Sequence, residues 1–349
     1  MIARLKAATW RIAGGLYSVS GLSQFRHRGR VIVLTYHRVV SQEVVERQHI
    51  QPGMYVREES FAAHIAYLRE RFTILSLDEL LDLWQTSQFK NDRSYCVITF
   101  DDGWRDNYQF AFPILRQHAV PATIFLATDF IGTSRWFWPD RMMLVLEQAG
   151  ALTSNPAVRD EVSAILADTV GVSQAADGRS FLSLKSGKPV DSSAIIERCK
   201  EVAVDEIDRL IDRLGGVLGM DFPSERVLLD WTEVREMAAQ GVSFGSHSCS
   251  HRILTNIQLP EVNCELIESR NAMLQQGVTP SSTFCYPNGN FNAGIQRLVR
   301  ESGYRAAVGC EIGLEGERPD DPYALKRISL HEDSSSTDPL LALALSGLR

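Results

Sequence analysis

Apolar residues come in short unbroken runs along this chain, set apart by longer stretches of helical spacing. Val31-Ile32-Val33-Leu34, Cys96 to Phe100, Ala122 to Ala127, Val242-Ser243-Phe244 and Ser282-Thr283-Phe284-Cys285 read as buried strands. Between them Phe61, Ile65 and Leu68 recur at i, i+4 and i+7 behind Ser60, and Leu77 to Trp84 follows Ser76. Further helices are predicted around Tyr108–His118, from the capping box Asp230-Trp231-Thr232-Glu233 to Gln240, and over Pro260–Gln276. Strand and helix alternate, which predicts a parallel sheet with crossover helices. The alternation breaks at Gly132. The aromatic cluster Trp136-Phe137-Trp138-Pro139 leads into a helix from Met142, residues 151–192 are polar, and Ile195, Cys199, Val202, Ile207, Leu210, Ile211 and Leu214 mark one amphipathic helix. The expected organisation is an N-terminal helical segment (1–30), an α/β body (31–134 and 226–335) and a mainly helical insertion (135–225) with Trp136 and Trp138 in its own small core. A tail (336–349) carries a docking helix from Pro339.

The strand ends carry the chemistry. The first strand stops at Tyr36-His37, the second at Asp101-Asp102-Gly103, and Val242–Gly245 delivers Ser246-His247-Ser248-Cys249-Ser250-His251. Carboxyl ends of parallel strands share one rim, where α/β enzymes keep their sites. Two adjacent carboxylates cannot both be desolvated and ionised cheaply without a cation, which would be a metal, an arginine or both. Asp-Asp-Gly alone is an ordinary turn sequence. Histidines four apart on a helical turn, however, can present imidazoles to one ion. Two imidazoles and a carboxylate make a site with positions left for water and substrate. His37 reads equally as a cleft-mouth residue and as a satisfied structural histidine.

Composition bounds the rest. The chain has 349 residues, 44% of them hydrophobic, enough for a sizeable core. A net charge of −7 and a pI near 5.7, with no basic stripe, exclude a nucleic-acid partner from the expectations. Six cysteines without paired spacing are no disulfide framework; with Cys249 and Cys285 inside motifs, a reducing, cytoplasmic compartment is expected. Arg11 interrupts the apolar run a secretory signal needs, and no run of about 18 apolar residues predicts a membrane span. The first segment mixes Arg4, Lys6 and Arg11 with Leu5, Trp10, Ile12, Leu16 and Tyr17. It reads as a basic amphipathic helix in peripheral contact with an acidic membrane, or as a helix packed on the exterior of the α/β body.

Thr99-Phe100-Asp101-Asp102-Gly103 followed by His247-Ser248-Cys249-Ser250-His251 resembles the first two motifs of the polysaccharide deacetylase family (NodB homology, carbohydrate esterase family 4). Tyr36-His37-Arg38 and Tyr286-Pro287-Asn288-Gly289 resemble its exopolysaccharide-associated branch, and the resemblance runs from Val31 to His331. It implies a deformed (β/α)7-type, NodB-like barrel and a hydrolase that removes N-acetyl groups from a sugar polymer or oligosaccharide. It further implies Asp101 as base, with Asp102, His247 and His251 binding a divalent metal, Zn2+ ahead of Co2+, Ni2+ or Mn2+. The third family motif, Arg-x-Pro-Tyr, departs here: Cys285 stands at the arginine and Asn288 at the tyrosine, while Pro287 and Gly289 remain. The Asn288 N–H, flanked by Tyr286 and Pro287, is the expected oxyanion donor. Arg327, in the final strand Leu325–His331, is expected to replace the missing guanidinium; otherwise it is a solvated strand-edge charge. His331 matches the final Leu-x-His motif loosely and would protonate the leaving amine. Two alternatives stand beside this reading: a metal-dependent hydrolase of another amide or O-acetyl ester, and a silent glycan-binding module. Retention of Asp101, Asp102, His247 and His251 argues against the second.

Overall fold

Val31 to Leu34 and Cys96 to Ile98 have no exposed surface, and they form two neighbouring interior strands of a parallel sheet. The computed structural model describes residues 10, 12–17, 20–48, 50–51, 53–151, 155–171 and 192–347; the expectations for Arg4, Leu5, Lys6 and Arg11, and for residues 172–191, lie outside them. In chain order the strands are β1 (Arg30–Tyr36), β2 (Arg38–Val40), β3 (Tyr55–Arg57), β4 (Thr73–Leu75), β5 (Ser94–Phe100), β6 (Ala122–Leu126), β7 (Val242–Ser246), β8 (Pro280–Cys285), β9 (Ala306–Val308) and β10 (Ile328–Ser329). The main sheet runs β10-β1-β5-β6-β7-β8-β9, with β4 sharing one edge of β5; β2 and β3 pair separately. Every pairing is parallel. The sheet curls into the deformed (β/α)7-type half-barrel expected from the sequence.

Register brings the strand ends level. Tyr36 pairs with Phe100 and Leu126 with Ser246, so His37, Asp101 and His247 emerge at one rim. Gly245 permits the β6–β7 contact there, because a Cβ would fall 2.6 Å from the Phe125 ring. The predicted helices form with their caps. Ser76 and Glu79 make a reciprocal capping box at Leu77–Gln85, as Asp230 and Glu233 do at Trp231–Ala239. A π-helical stretch, Asn107–Ala111, precedes the helix Phe112–His118.

The chain divides into two units, one made of Met1–Thr133 and Arg226–Arg349 and the other of Ser134–Glu225. The second unit is helical. Trp138–Ala151, Pro156–Val170, Ser192–Cys199 and Val204–Leu218 bury Leu146, Leu166, Cys199, Ile211 and Leu214, with Trp138 packed against them. Trp136, half-buried like Trp138, stands outside that core and donates its Nε1–H to the Glu225 carbonyl at 2.9 Å. The single amphipathic helix expected over Ile195–Leu214 is two helices. The acidic pair Asp205-Glu206 occupies the first turn of the second, where the helix macrodipole favours negative charge.

Candidate metal and catalytic centre

β5 ends in two carboxylates that turn apart. Asp101 continues the strand, donating its N–H to the Tyr36 carbonyl at 3.0 Å. Asp102 takes a left-handed backbone, φ 76°, and Gly103 follows at φ 79°. A side chain at Gly103 would strike Leu126, 2.7 Å from the added Cβ. The turn throws Asp102 towards the β7 loop. Among the described residues, four of the six non-glycine positions with left-handed backbone (Asp102, Ser248, His251 and Asn288) fall in this region. Strain concentrated this way marks functional sites.

Asp102, His247 and His251 converge. Asp102 Oδ1 lies 3.5 Å from His247 Nε2 and 3.3 Å from His251 Nε2. Donors bound at about 2.0–2.1 Å to one tetrahedral ion stand roughly 3.3 Å apart, so this spacing fits a single divalent metal. The surrounding contacts fit it too. His247 Nδ1 is 2.8 Å from the Cys285 carbonyl; donating that proton leaves the Nε2 lone pair for an ion, the usual arrangement around metal-bound histidine. Trp104 donates its indole N–H to Asp102 Oδ2 at 2.9 Å, which aims Oδ1 at the imidazoles. Burial alone would raise the Asp102 carboxyl; the two facing histidines hold it well below the ordinary carboxylate value.

The histidine pair is not on a helical turn, as the four-residue spacing suggested. Residues 247–251 form a loop in which Ser248 and His251 both adopt positive φ, and the rings meet at 4.9 Å between centroids. Side-chain bonds fix this conformation. Ser248 Oγ accepts from the His251 N–H at 3.0 Å. Glu265, on the helix Leu259–Gln275, accepts from the Cys249 and Ser250 N–H groups at 2.7 and 2.9 Å and from the Ser250 hydroxyl.

Asp101 faces an arginine instead. Arg327, immediately before β10, grips it with two bonds: Nη1 to Oδ1 at 2.7 Å and Nη2 to Oδ2 at 2.8 Å. Asp101 and Arg327 are 3% and 1% exposed, so Arg327 is no solvated strand-edge charge. The guanidinium also donates to the Gly309 carbonyl and to the Thr35 and Thr99 hydroxyls. Its Nη2 lies 3.4 Å from Cys285 Sγ, so the small residue on β8 leaves the space that the incoming arginine fills. Burial pushes the Asp101 carboxyl up, but the Arg327 charge and hydrogen bonds outweigh it and bring it to about 2. Asp101, His247 and Cys285 also lie close enough for a metal; the Arg327 guanidinium on both Asp101 and Cys285 disfavours a second cation there.

The other predicted residues lie around this pair. His37 and His331 follow neighbouring strands, each two residues past the Thr35–Ser329 pair, and His37 accepts at its carbonyl from Asn107. The His331 carbonyl caps the following helix by accepting from Ser334 and Ser335. Asn288 sits after β8 at φ 56° with an exposed side chain. Tyr286 and Pro287 are buried. The Tyr286 hydroxyl donates to the Tyr323 carbonyl and its ring stacks on Phe291, so its side chain belongs to the core and not to a surface a glycan reaches. Sequence reasoning missed Trp104, Glu265 and the Arg38–Asp106 ion pair at 2.6 Å, whose guanidinium lies over the Trp104 ring. The available signals were the place of Trp104 and Asp106 just after Asp-Asp-Gly, of Arg38 within Tyr36-His37-Arg38, and of Glu265 on the helix after the histidine loop.

The similarities to known proteins agree with this centre. The family profile for polysaccharide deacetylases matches residues 89–170 and 199–307, over half of the chain and including Asp101, Asp102, His247, His251 and Cys285. YxkH of Bacillus subtilis (strain 168) is 27% identical over 123 residues, a match spanning 35% of this chain and 41% of that relative. Among solved structures, the Streptococcus pyogenes deacetylase PplD superposes with a TM-score of 0.56 at 15% identity, covering 90% of this chain and 97% of that one. IcaB from Ammonifex degensii gives 0.55 at 15% identity over 91% and 97%. At such identities these structures establish a shared fold, while the profile, matched across both motif-bearing strand ends, establishes descent: the chain belongs to the polysaccharide deacetylase family.

Proposed function

We propose that the protein is a metal-dependent hydrolase that removes N-acetyl groups from an N-acetylated sugar polymer or oligosaccharide. One observation carries this: a carboxylate and two imidazoles at metal-ligand spacing stand beside a second carboxylate kept ionised by an arginine. Asp102, His247 and His251 would hold the ion, with Zn2+ favoured by the nitrogen-rich donor set. Such an ion supplies Lewis-acid polarisation and acidifies a bound water. Asp101 accepts the proton of the attacking water. Each of its oxygens keeps a lone-pair position beyond its bond to Arg327, so orientation and basicity coexist. The Asn288 N–H stabilises the oxyanion, as a backbone donor can whatever its side chain. His331 donates a proton to the departing amine, and the products are acetate and a free amino sugar.

The test measures acetate release from N-acetylated chito-oligosaccharides and from an O-acetylated glycan, with and without a chelator, alongside elemental analysis. Release from the N-acetylated substrate that the chelator stops, and Asp101→Asn protein that keeps its metal but loses at least about a thousandfold in turnover, are expected. Release only from the O-acetylated glycan, or undiminished turnover by Asp101→Asn, would refute the assignment.

A further inference from the structure

Two N-terminal helical stretches are built inside out. In Leu22–His27 the two buried residues are polar: Ser23 and His27 are 8% and 5% exposed, and His27 Nε2 lies 3.0 Å from the Leu345 carbonyl. The apolar residues of that helix, Leu22 and Phe25, are 58% and 82% exposed. The preceding helical backbone at 12–17 also turns its large aliphatic residues outward, with a glycine on the inner side. Gly14 lies so close to Pro339 that a Cβ there would collide with its carbonyl, while Ile12 and Leu16 are 66% and 64% exposed. Trp10 is 40% exposed. Ordinary surface helices bury the apolar stripe, so five exposed large apolar residues between positions 10 and 25 mark an interaction surface.

Charge identifies the occupant. Residues 1–30 hold six Lys and Arg (Arg4, Lys6, Arg11, Arg26, Arg28 and Arg30) and no Asp or Glu, in a chain whose net charge is −7. Arg28 and Arg30 are exposed beside Phe25 in sequence. A tryptophan, a phenylalanine and aliphatic side chains among cations, without one anion, match an anionic lipid surface: rings and aliphatics enter the acyl boundary and the cations meet the headgroups. No helix among the described residues is long and apolar enough to cross a membrane. We infer that the N-terminal helical face docks the protein on an anionic bilayer surface, the two stretches lying in the interface.

Co-sedimentation of the full chain with vesicles of phosphatidylcholine plus phosphatidylglycerol, and of phosphatidylcholine alone, tests this. Binding to the anionic vesicles that weakens with salt is expected. The double variant Leu22→Ser/Phe25→Ser should lose at least about tenfold in partition per side chain, and Arg28→Gln about fivefold. Because these side chains are exposed, thermal midpoint and deacetylation of a soluble substrate should not change. No anionic-vesicle binding, or binding indifferent to Leu22→Ser/Phe25→Ser, would overturn the inference. So would a dimer by light scattering that this double variant dissolves without any vesicle binding, which would assign the face to a second copy of the chain.

Discussion

Replacing Arg327 by methionine tests the physics of the centre most directly. The substitution keeps an unbranched stem as far as the Nε position and removes the guanidinium charge held by bonds of 2.7 and 2.8 Å to Asp101. With Asp101 only 3% exposed, its carboxylate is left buried and uncompensated, a loss of about 3–5 kcal/mol. The Gly309 carbonyl also loses its partner at 2.8 Å, adding about 1 kcal/mol or more. Against a domain stability of about 5–15 kcal/mol this is a severe loss, equivalent to a fall in Tm of roughly 10 °C. Urea denaturation of wild type, Arg327→Met, Asp101→Asn and the double variant reads it. The double variant should recover about 2 kcal/mol or more relative to Arg327→Met, since the orphaned charge has gone. The sign with pH follows from the depressed Asp101 carboxyl. Its contribution is complete above the ordinary value of 3.8 and is lost as pH falls through about 2, so the gap between wild type and Arg327→Met should narrow across that window. Equal stability of wild type and Arg327→Met, or no recovery in the double variant, would refute the claim that this arginine compensates the buried Asp101 carboxylate.

Trp104→Phe removes the indole N–H that fixes Asp102 together with part of a ring that is 2% exposed; it should weaken metal affinity about 10- to 100-fold by competitive chelator titration and lower the melting of the metal-free protein through the cavity it leaves, and unchanged affinity would dismiss the positioning role. Cys285→Arg forces a second guanidinium against Arg327, whose Nη2 is already 3.4 Å from the thiol, and should destabilise by about 1–3 kcal/mol through overpacking alone. Cys285→Arg with Arg327→Ala should recover part of both stability and turnover. Failure to recover would mean that the guanidinium works only from the β10 side.

Much of this centre was legible because buried strands must stop somewhere. The run Cys96–Phe100 could not extend through Asp101-Asp102, so those carboxylates had to stand at a rim, and the parallel register carried His247 to the same one. The loop that joins His247 to His251 was not legible. Its positive-φ residues, Ser248 and His251, are held by bonds from Ser248 Oγ and, for the intervening backbone, from Glu265, and such long-range side-chain bonds leave no periodic trace. Trp104 escaped notice because a tryptophan beside an apolar strand reads as core, which it also is at 2% exposure. The break between Cys199 and Val204 was missed because hydrophobic phase continues across it while the acidic first turn restarts the helix. Arg327 was found through the family resemblance: an arginine missing from one strand sent attention to the next basic residue near the rim.

Side by side in sequence, Asp101 and Asp102 are separated in duty by one backbone angle. Successive residues of an extended strand point to opposite faces, and the left-handed Asp102 adds a turn, so the two carboxylates meet different cations. Asp101 is held by a guanidinium that belongs to the chain, so its ionisation does not depend on an ion being present. Asp102 faces two imidazoles and an indole N–H, a set whose remaining valence suits a divalent cation. If one cation served both acids, its loss would protonate or displace Asp101 as well. Because Arg327 and the proposed metal ligands are separate, substituting Arg327 should be read in stability and turnover, and substituting Trp104 in metal affinity beyond its packing cost. The independence of those two readouts follows from the orientation of two neighbouring side chains.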